Sequence, residues 1–225
     1  TSPNYIPFSK PLTKHVSKVK IAQNGLITSN FDLQPGDEER IKEIKTAYQH
    51  KKIVYFVGRH VPYKGIEYLI KSEQYIKNDC VILIAGSGPY DKYLHTLPHG
   101  DKLKFLGRLS DKDLRCFSHA ATIFAFPSVT KAEAFGIALA EAMYCQNVPV
   151  TFTIEGSGVN WVSIKDVTGE QVSLKNEKEF AIAIDRLLSD ENLYNRYLDA
   201  AHKRVLEHFT EEKAVGVMAK IYNEL

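Results

Sequence analysis

Two carboxylates, Glu133 and Glu141, frame a run whose residue types suit a change from loop to helix, Ala134-Phe135-Gly136-Ile137-Ala138-Leu139-Ala140. From Ile137 onward Ala138, Leu139, Ala140, Ala142 and Met143 favour helix, so Gly136 and its neighbours should form the helix N-terminus. The first turn of a helix leaves backbone N–H groups without intrahelical acceptors, and these attract a diphosphate. Glu133, still on the loop, can accept hydrogen bonds from sugar hydroxyls. Glu141, just over a turn into the helix, can reach a ribose diol. Neither carboxylate need transfer a proton. On spacing alone the pair fits a solvated loop position and an exposed helix position equally well.

A second cluster lies upstream. Phe56-Val57-Gly58-Arg59 ends a strand-like run, and Pro62-Tyr63-Lys64-Gly65 opens a helix. Arg59 offers a planar fork for phosphate oxygens and Lys64 a compact charge, two complementary ways of holding a phosphate. Taken alone, they also read as solvated surface cations.

Together these residues resemble the group 1 family of retaining glycosyltransferases, whose two-lobed GT-B fold carries an E-x7-E motif in its C-terminal, donor-binding lobe. Besides Glu133 to Glu141, the resemblance rests on Gly58-Arg59 with Lys64-Gly65, Ile84-Ala85-Gly86-Ser87-Gly88-Pro89, Phe105-Leu106-Gly107-Arg108-Leu109-Ser110, Phe126-Pro127-Ser128 and Glu141-Ala142-Met143, in that family's order. It implies that Arg59 and Lys64 hold the diphosphate, Glu141 the ribose and Glu133 the donor hexose. By the same resemblance the backbone of Ala134, Phe135, Gly136, Ile137 and Ala138 lines sugar and phosphate, and Arg108, Leu109 and Asp111 meet the base. Gly86 and Gly88 only shape a loop. The resemblance further implies a nucleotide sugar as substrate, a UDP- or GDP-hexose, with no other cofactor. It implies a saccharide or lipid-linked acceptor, bound by an N-terminal lobe for which this chain has no room.

The elements that must position these groups alternate from Ile53 onward. Strand-like runs at Ile53–Val57, Val81–Ala85, Leu103–Leu106, Thr122–Phe126 and Val148–Thr153 are separated by helical patterns at Lys64–Lys77, Tyr90–Leu97, Asp111–His119 and Gly136–Cys145. Short apolar strands between helices indicate a doubly wound, Rossmann-like parallel α/β sheet. Ligands of such sheets bind beyond the carboxyl ends of the strands, where Arg59, Gly86, Arg108 and Glu133 all fall. Residues 1–50 read as an interdomain segment with a short strand over Val19–Gly25 and a helix near Glu38–Tyr48. Residues 51–208 form the nucleotide-sugar domain, and 209–225 a C-terminal helix. Asn176 with Glu179, and then Thr210, look like helix caps. Ala214, Val217, Met218, Ile221 and Leu225 make an apolar stripe that fits either core packing or contact with another lobe.

The 225 residues are 44% hydrophobic and 25% charged with a net charge of +2, a composition that suits a globular chain and argues against nucleic acid as partner. The local basic run Lys10, Lys14, Lys18 and Lys20 reads as a solvated linker, and is also compatible with peripheral contact with an anionic membrane face. Cys80, Cys116 and Cys145 stand singly among apolar neighbours, as reduced, buried residues of a cytoplasmic protein do. The histidines, His60 and His119 among them, lack ligand spacing, so no metal site is expected. No apolar run approaches the length of a membrane span. The chain opens at Thr1 without an initiator methionine, which suits an excised fragment. Two positions depart from the family pattern: Gln146 follows Ala-Met-Tyr-Cys where glycine is common, and Asn160 stands where an acid is frequent, which puts an acidic contact from that loop in doubt. A nucleotide-sugar epimerase and a catalytically silent nucleotide-binding module are the rival readings. A dehydrogenase is disfavoured because no G-x-G-x-x-G follows the first strand.

Overall fold

The computed structural model describes residues 2–224. Six strands, β1 (Lys52–Val57), β2 (Cys80–Ala85), β3 (Leu103–Gly107), β4 (Ile123–Phe126), β5 (Val148–Phe152) and β6 (Glu170–Val172), form one sheet in the order β3-β2-β1-β4-β5-β6. Every pairing is parallel, with Val54 opposite both Ile82 and Ile123. Helices on both faces bury the strands, so β2, β4 and β5 read as unbroken apolar runs rather than alternating ones. Phe56, Phe124, Phe126 and Phe152 are fully buried at the centre of the core. Strand order reverses between β1 and β4, and the crevice above that switch point is where such a sheet takes a ligand.

The principal helices are α1 (Asp37–Ala47), α2 (Ile66–Ser72), α3 (Asp111–Ala120), α4 (Ile137–Tyr144), α5 (Glu177–Ser189), α6 (Glu191–His208) and α7 (Glu211–Asn223). Ser110, Asn176 and Thr210 cap α3, α5 and α7 by accepting the backbone N–H three residues on. Asp37 anchors α1 to α3: its carboxylate accepts from Arg115 Nε at 2.6 Å and Nη2 at 3.2 Å. That guanidinium holds the Asp37 carboxyl down at about 2. Leu26, Phe31 and Ile44 join the same core as the sheet.

Some elements differ from expectation. The run Lys64–Lys77 is not one helix: a 3-10 turn at Pro62–Lys64 ends on Gly65 in the left-handed region at φ +63°, and only then does α2 begin. Gly65 is forced by contact as well as by φ, since a Cβ there would lie 2.1 Å from the Pro127 carbonyl oxygen. The expected helix at Tyr90–Leu97 is a single turn, Asp91–Leu94. Val19–Gly25 forms no strand. Leu26 instead exchanges backbone hydrogen bonds with Phe209 and Glu211 at the start of α7, at 2.7 and 2.9 Å. β6 was not anticipated, because Glu-Gln-Val carries no apolar run. The three cysteines are free and buried, as expected. Lys10, Lys14, Lys18 and Lys20 are exposed, and Lys20 pairs with Glu224 at 2.7 Å. No described helix is long and apolar enough to cross a membrane. Along α7 no described residue is buried, and Val215, Met218 and Tyr222 are exposed; Leu225 lies outside the described residues.

Candidate functional site

The loops beyond β1, β2 and β3 are laced together by backbone hydrogen bonds, Gly58 to Ala85, His60 to Ser87 and Gly86 to Gly107, at 3.2, 3.0 and 2.8 Å. Gly86 and Gly88 are needed for that approach, because a Cβ on either would fall about 2 Å from a carbonyl oxygen of the first loop. They shape the loops, as expected. The loop after β4 joins the same layer through Val129 N–H to the Tyr63 carbonyl at 2.9 Å. His60 is buried and bonded to Asp91, and His119 is bonded to the Phe31 carbonyl at 2.7 Å; both are structural.

Lys64 and Glu133, assigned separately to phosphate and hexose by the resemblance, form one buried ion pair. Lys64 Nζ donates to Glu133 Oε2 and sits 4.9 Å from the centre of the Phe126 ring. Ser128 Oγ, fully buried, donates to the same oxygen at 3.2 Å, so Oε1 is engaged by neither donor. The main chain at Glu133 is fixed too, because Ser157 Oγ donates to its carbonyl at 2.5 Å. Ser128 belongs to a motif of the family resemblance and Ser157 to none named above, and the sequence marks neither as a support of Glu133. A serine next to a Pro or Gly carries no signal of the carboxylate it will orient.

Gly136 takes φ +90° at the start of α4, without a side-chain cap. Leu139 and Ala140 N–H both turn back to the Gly136 carbonyl. The N–H groups of Gly136, Ile137 and Ala138 have no acceptor among the described residues, so the partial positive charge of this helix end is not offset by a cap. Phe135 is buried edge-on against Trp161 and Phe209, so only its backbone can face a ligand, whereas Ile137 is exposed. Ala134 is exposed on the same turn.

Glu141 lines a cleft of about 500 Å³ with Asn30, Gln34, Asp111 and Leu114. Burial pushes its carboxyl up to about 6, and the field of Lys64 opposes that rise. Lys64 thus acts on both carboxylates of the motif, one by contact and one through space. Asp111, expected at the base, shares the cleft of Glu141. Arg59 and Arg108 stand exposed on the loops after β1 and β3 and engage no partner among the described residues. Leu109 is half-buried against the core. The structure therefore brings Lys64, Glu133 and the α4 N-terminus together, with Glu141 one turn on. It places the two arginines on adjoining loops without contact to them.

The two departures from the family pattern have local explanations. Gln146 sits at φ +62° just beyond α4, the conformation in which glycine is at ease. Asn160 accepts from Ile154 N–H at 2.6 Å and donates to the Phe152 carbonyl at 3.0 Å. An aspartate could make only the first of these bonds, so this side chain serves as a brace for the loop.

This geometry has counterparts. The family model of glycosyl transferases group 1 matches residues 37–204. An uncharacterized glycosyltransferase of Methanocaldococcus jannaschii is 32% identical over 213 residues, covering 91% of this chain and 54% of its own. O-antigen chain mannosyltransferase C of Escherichia coli is 25% identical, covering 100% of this chain and 60% of its own. Among solved structures, Anabaena HepE in complex with UDP superposes with a TM-score of 0.81 at 21% identity, over 92% of this chain and 57% of that one, which shows the shared fold. The chain spans little more than half the length of these relatives. It is a Rossmann-like α/β unit of the GT-B type and belongs to the group 1 glycosyltransferases.

Proposed function

We propose that this chain is the donor-binding half of a retaining glycosyltransferase that transfers a hexose from a UDP- or GDP-sugar to a saccharide or lipid-linked acceptor, at the cytoplasmic side of a membrane or in the cytoplasm. The observation that carries the reading is the meeting of Lys64, Glu133 and the uncapped N-terminus of α4 above the β1/β4 switch point. As the bond from sugar to phosphate loosens, negative charge builds on the diphosphate. The free N–H groups of Gly136, Ile137 and Ala138, with Arg59 and Lys64, are the groups that would stabilise it, each contact being worth roughly 3 kcal/mol in a closed site. Glu133 Oε1 is available to a hexose hydroxyl, and Glu141 to the ribose. UDP in the superposing HepE structure supports a nucleotide as ligand.

Ligand-observed NMR with UDP-, GDP- and ADP-hexoses tests the reading. One of the three should bind, competed by its own nucleoside diphosphate. Absence of binding by all three would end it. In the full-length protein, interconversion of free sugar isomers without transfer would point to an epimerase, and binding with neither reaction to a silent module.

A further inference from the structure

A second concavity, of about 800 Å³, lies along the sheet edge between β6 and α5, well within the range of about 300–1,000 Å³ for ligand pockets. The loop Val129–Lys131 forms one of its walls and leads within two residues to Glu133, so the groove opens beside the donor site. Its aliphatic lining comes from Ala183, which is buried, and from Leu174 and Ile182, which are exposed. Its rim carries the hydroxyls of Thr130, Thr153 and Ser173.

The charges lining it cancel. Lys131, Lys165 and Arg186 face Glu155, Glu170 and Glu179, a balance that favours neither an anion nor a cation. Glu170 is buried, being 6% exposed, and its Oε1 accepts no hydrogen bond although Arg186 Nη1 stands 3.1 Å away. That oxygen is closed to solvent, so what the pair presents to the groove is the exposed Arg186 guanidinium, a donor to hydroxyl oxygens held in place by Glu170. Dispersed hydroxyls and paired charges beside aliphatic side chains match a neutral, polyhydroxylated ligand.

We propose that this groove binds a saccharide chain and leads it away from the hexose at Glu133. The direction of the chain rests on the donor-site reading above. The binding itself does not.

The test is saturation-transfer NMR on the whole chain with maltotetraose and with an α-linked mannotetraose at about 5 mM, a concentration that reveals affinities near 1 mM. UDP and GDP affinities are measured in parallel. One tetraose should bind, and binding should fall about tenfold in Glu170→Gln, which removes, at constant shape, the charge that holds Arg186, and in Ile182→Glu, an exposed lining position where a new carboxylate cannot disturb the core. Nucleotide affinity should be unchanged in both variants. No saturation transfer from either tetraose, or equal binding by wild type and both variants, overturns the groove. Saccharide binding lost in the variants of a chain that binds no nucleotide would uphold the groove and remove the donor reading instead.

Discussion

Lys64 holds the charge balance of the site, and its burial changes what its removal means. On sequence grounds, replacing Arg59 or Lys64 with alanine should weaken nucleotide binding and leave folding nearly intact. The structure keeps that expectation for Arg59, which is exposed and has no partner among the described residues. Arg59→Ala should cost about 1.5–3 kcal/mol of diphosphate affinity by calorimetry, with stability within about 0.5 kcal/mol of wild type. Lys64→Ala would strand the Glu133 carboxylate in a buried place, at a cost of about 3–5 kcal/mol in denaturant unfolding. The double change Lys64→Met with Glu133→Gln removes both charges and should recover most of that stability without recovering nucleotide affinity. Recovery of affinity would remove Lys64 from the diphosphate site. Glu141 makes the opposite trade. Its folded pKa of about 6 lies above its ordinary 4.5, so the folded chain favours the protonated form; the penalty is full above pH 6 and gone below about pH 4.5. Glu141→Gln should therefore raise stability at pH 7.5 by about 2 kcal/mol and change little at pH 4. The same variant should bind nucleoside diphosphate more weakly. In the wild type that binding should decline more steeply than in the variant as pH falls through 6, the variant keeping only the decline that protonation of the terminal phosphate at about pH 6 brings to both. A variant no more stable at pH 7.5, or the same pH dependence of affinity in both proteins, would contradict a buried ribose carboxylate.

Strands β1 to β5 and the caps of α5 and α7 were readable because each depends on its own residues: an apolar run between turns, or an Asn or Thr three residues before the amide it accepts. What escaped depends on partners far away in sequence. β6 is three residues long and polar at two of them, and it exists because β5 offers an edge at Val150, Thr151 and Phe152. The long helix after β1 broke at Gly65 because the Pro127 carbonyl crowds it, a contact across 62 positions of chain. In the site, Glu133, Gly136 and Glu141 could be placed from helix-start chemistry, but their supports could not. Ser128, Ser157 and the Phe126 ring meet Glu133 and Lys64 only once the loops after β1, β4 and β5 converge. The end of α4 allows a test at this scale. Gln146 occupies a left-handed conformation that strains any side chain, so Gln146→Gly should stabilise the chain by about 0.5–1 kcal/mol and leave nucleotide binding unchanged. A lowered melting temperature would show that the glutamine side chain contributes something no contact reveals.

On the function proposed above, the molecule supplies one wall of a cleft. Lys64, Glu133 and the N-terminus of α4 lie above a single parallel sheet, and the matched part of the chain covers 54% and 60% of the two relatives described above. α7 leaves Val215, Met218 and Tyr222 exposed, at the helical spacing of one face. Binding and transfer should consequently separate in this chain. On that reading the helix N-terminus, Arg59, Lys64 and Glu141 should suffice to hold a nucleoside diphosphate, but on an open wall the phosphates stay hydrated and each charge acts at high dielectric. Affinity should accordingly be weak, on the order of 10 µM to 1 mM, or about 4 to 7 kcal/mol. Transfer needs an acceptor hydroxyl held against the hexose and water kept out, and a single wall does neither. Given a matched donor and acceptor, the chain alone should bind the donor and form no product, while the full-length protein turns over. The measurement is product formation at saturating donor for both proteins, with binding checked by calorimetry in the same buffer. Turnover by this chain at a rate near that of the full-length protein would mean that the second wall is dispensable, and that the charge cluster above the β1/β4 switch point completes the reaction unaided.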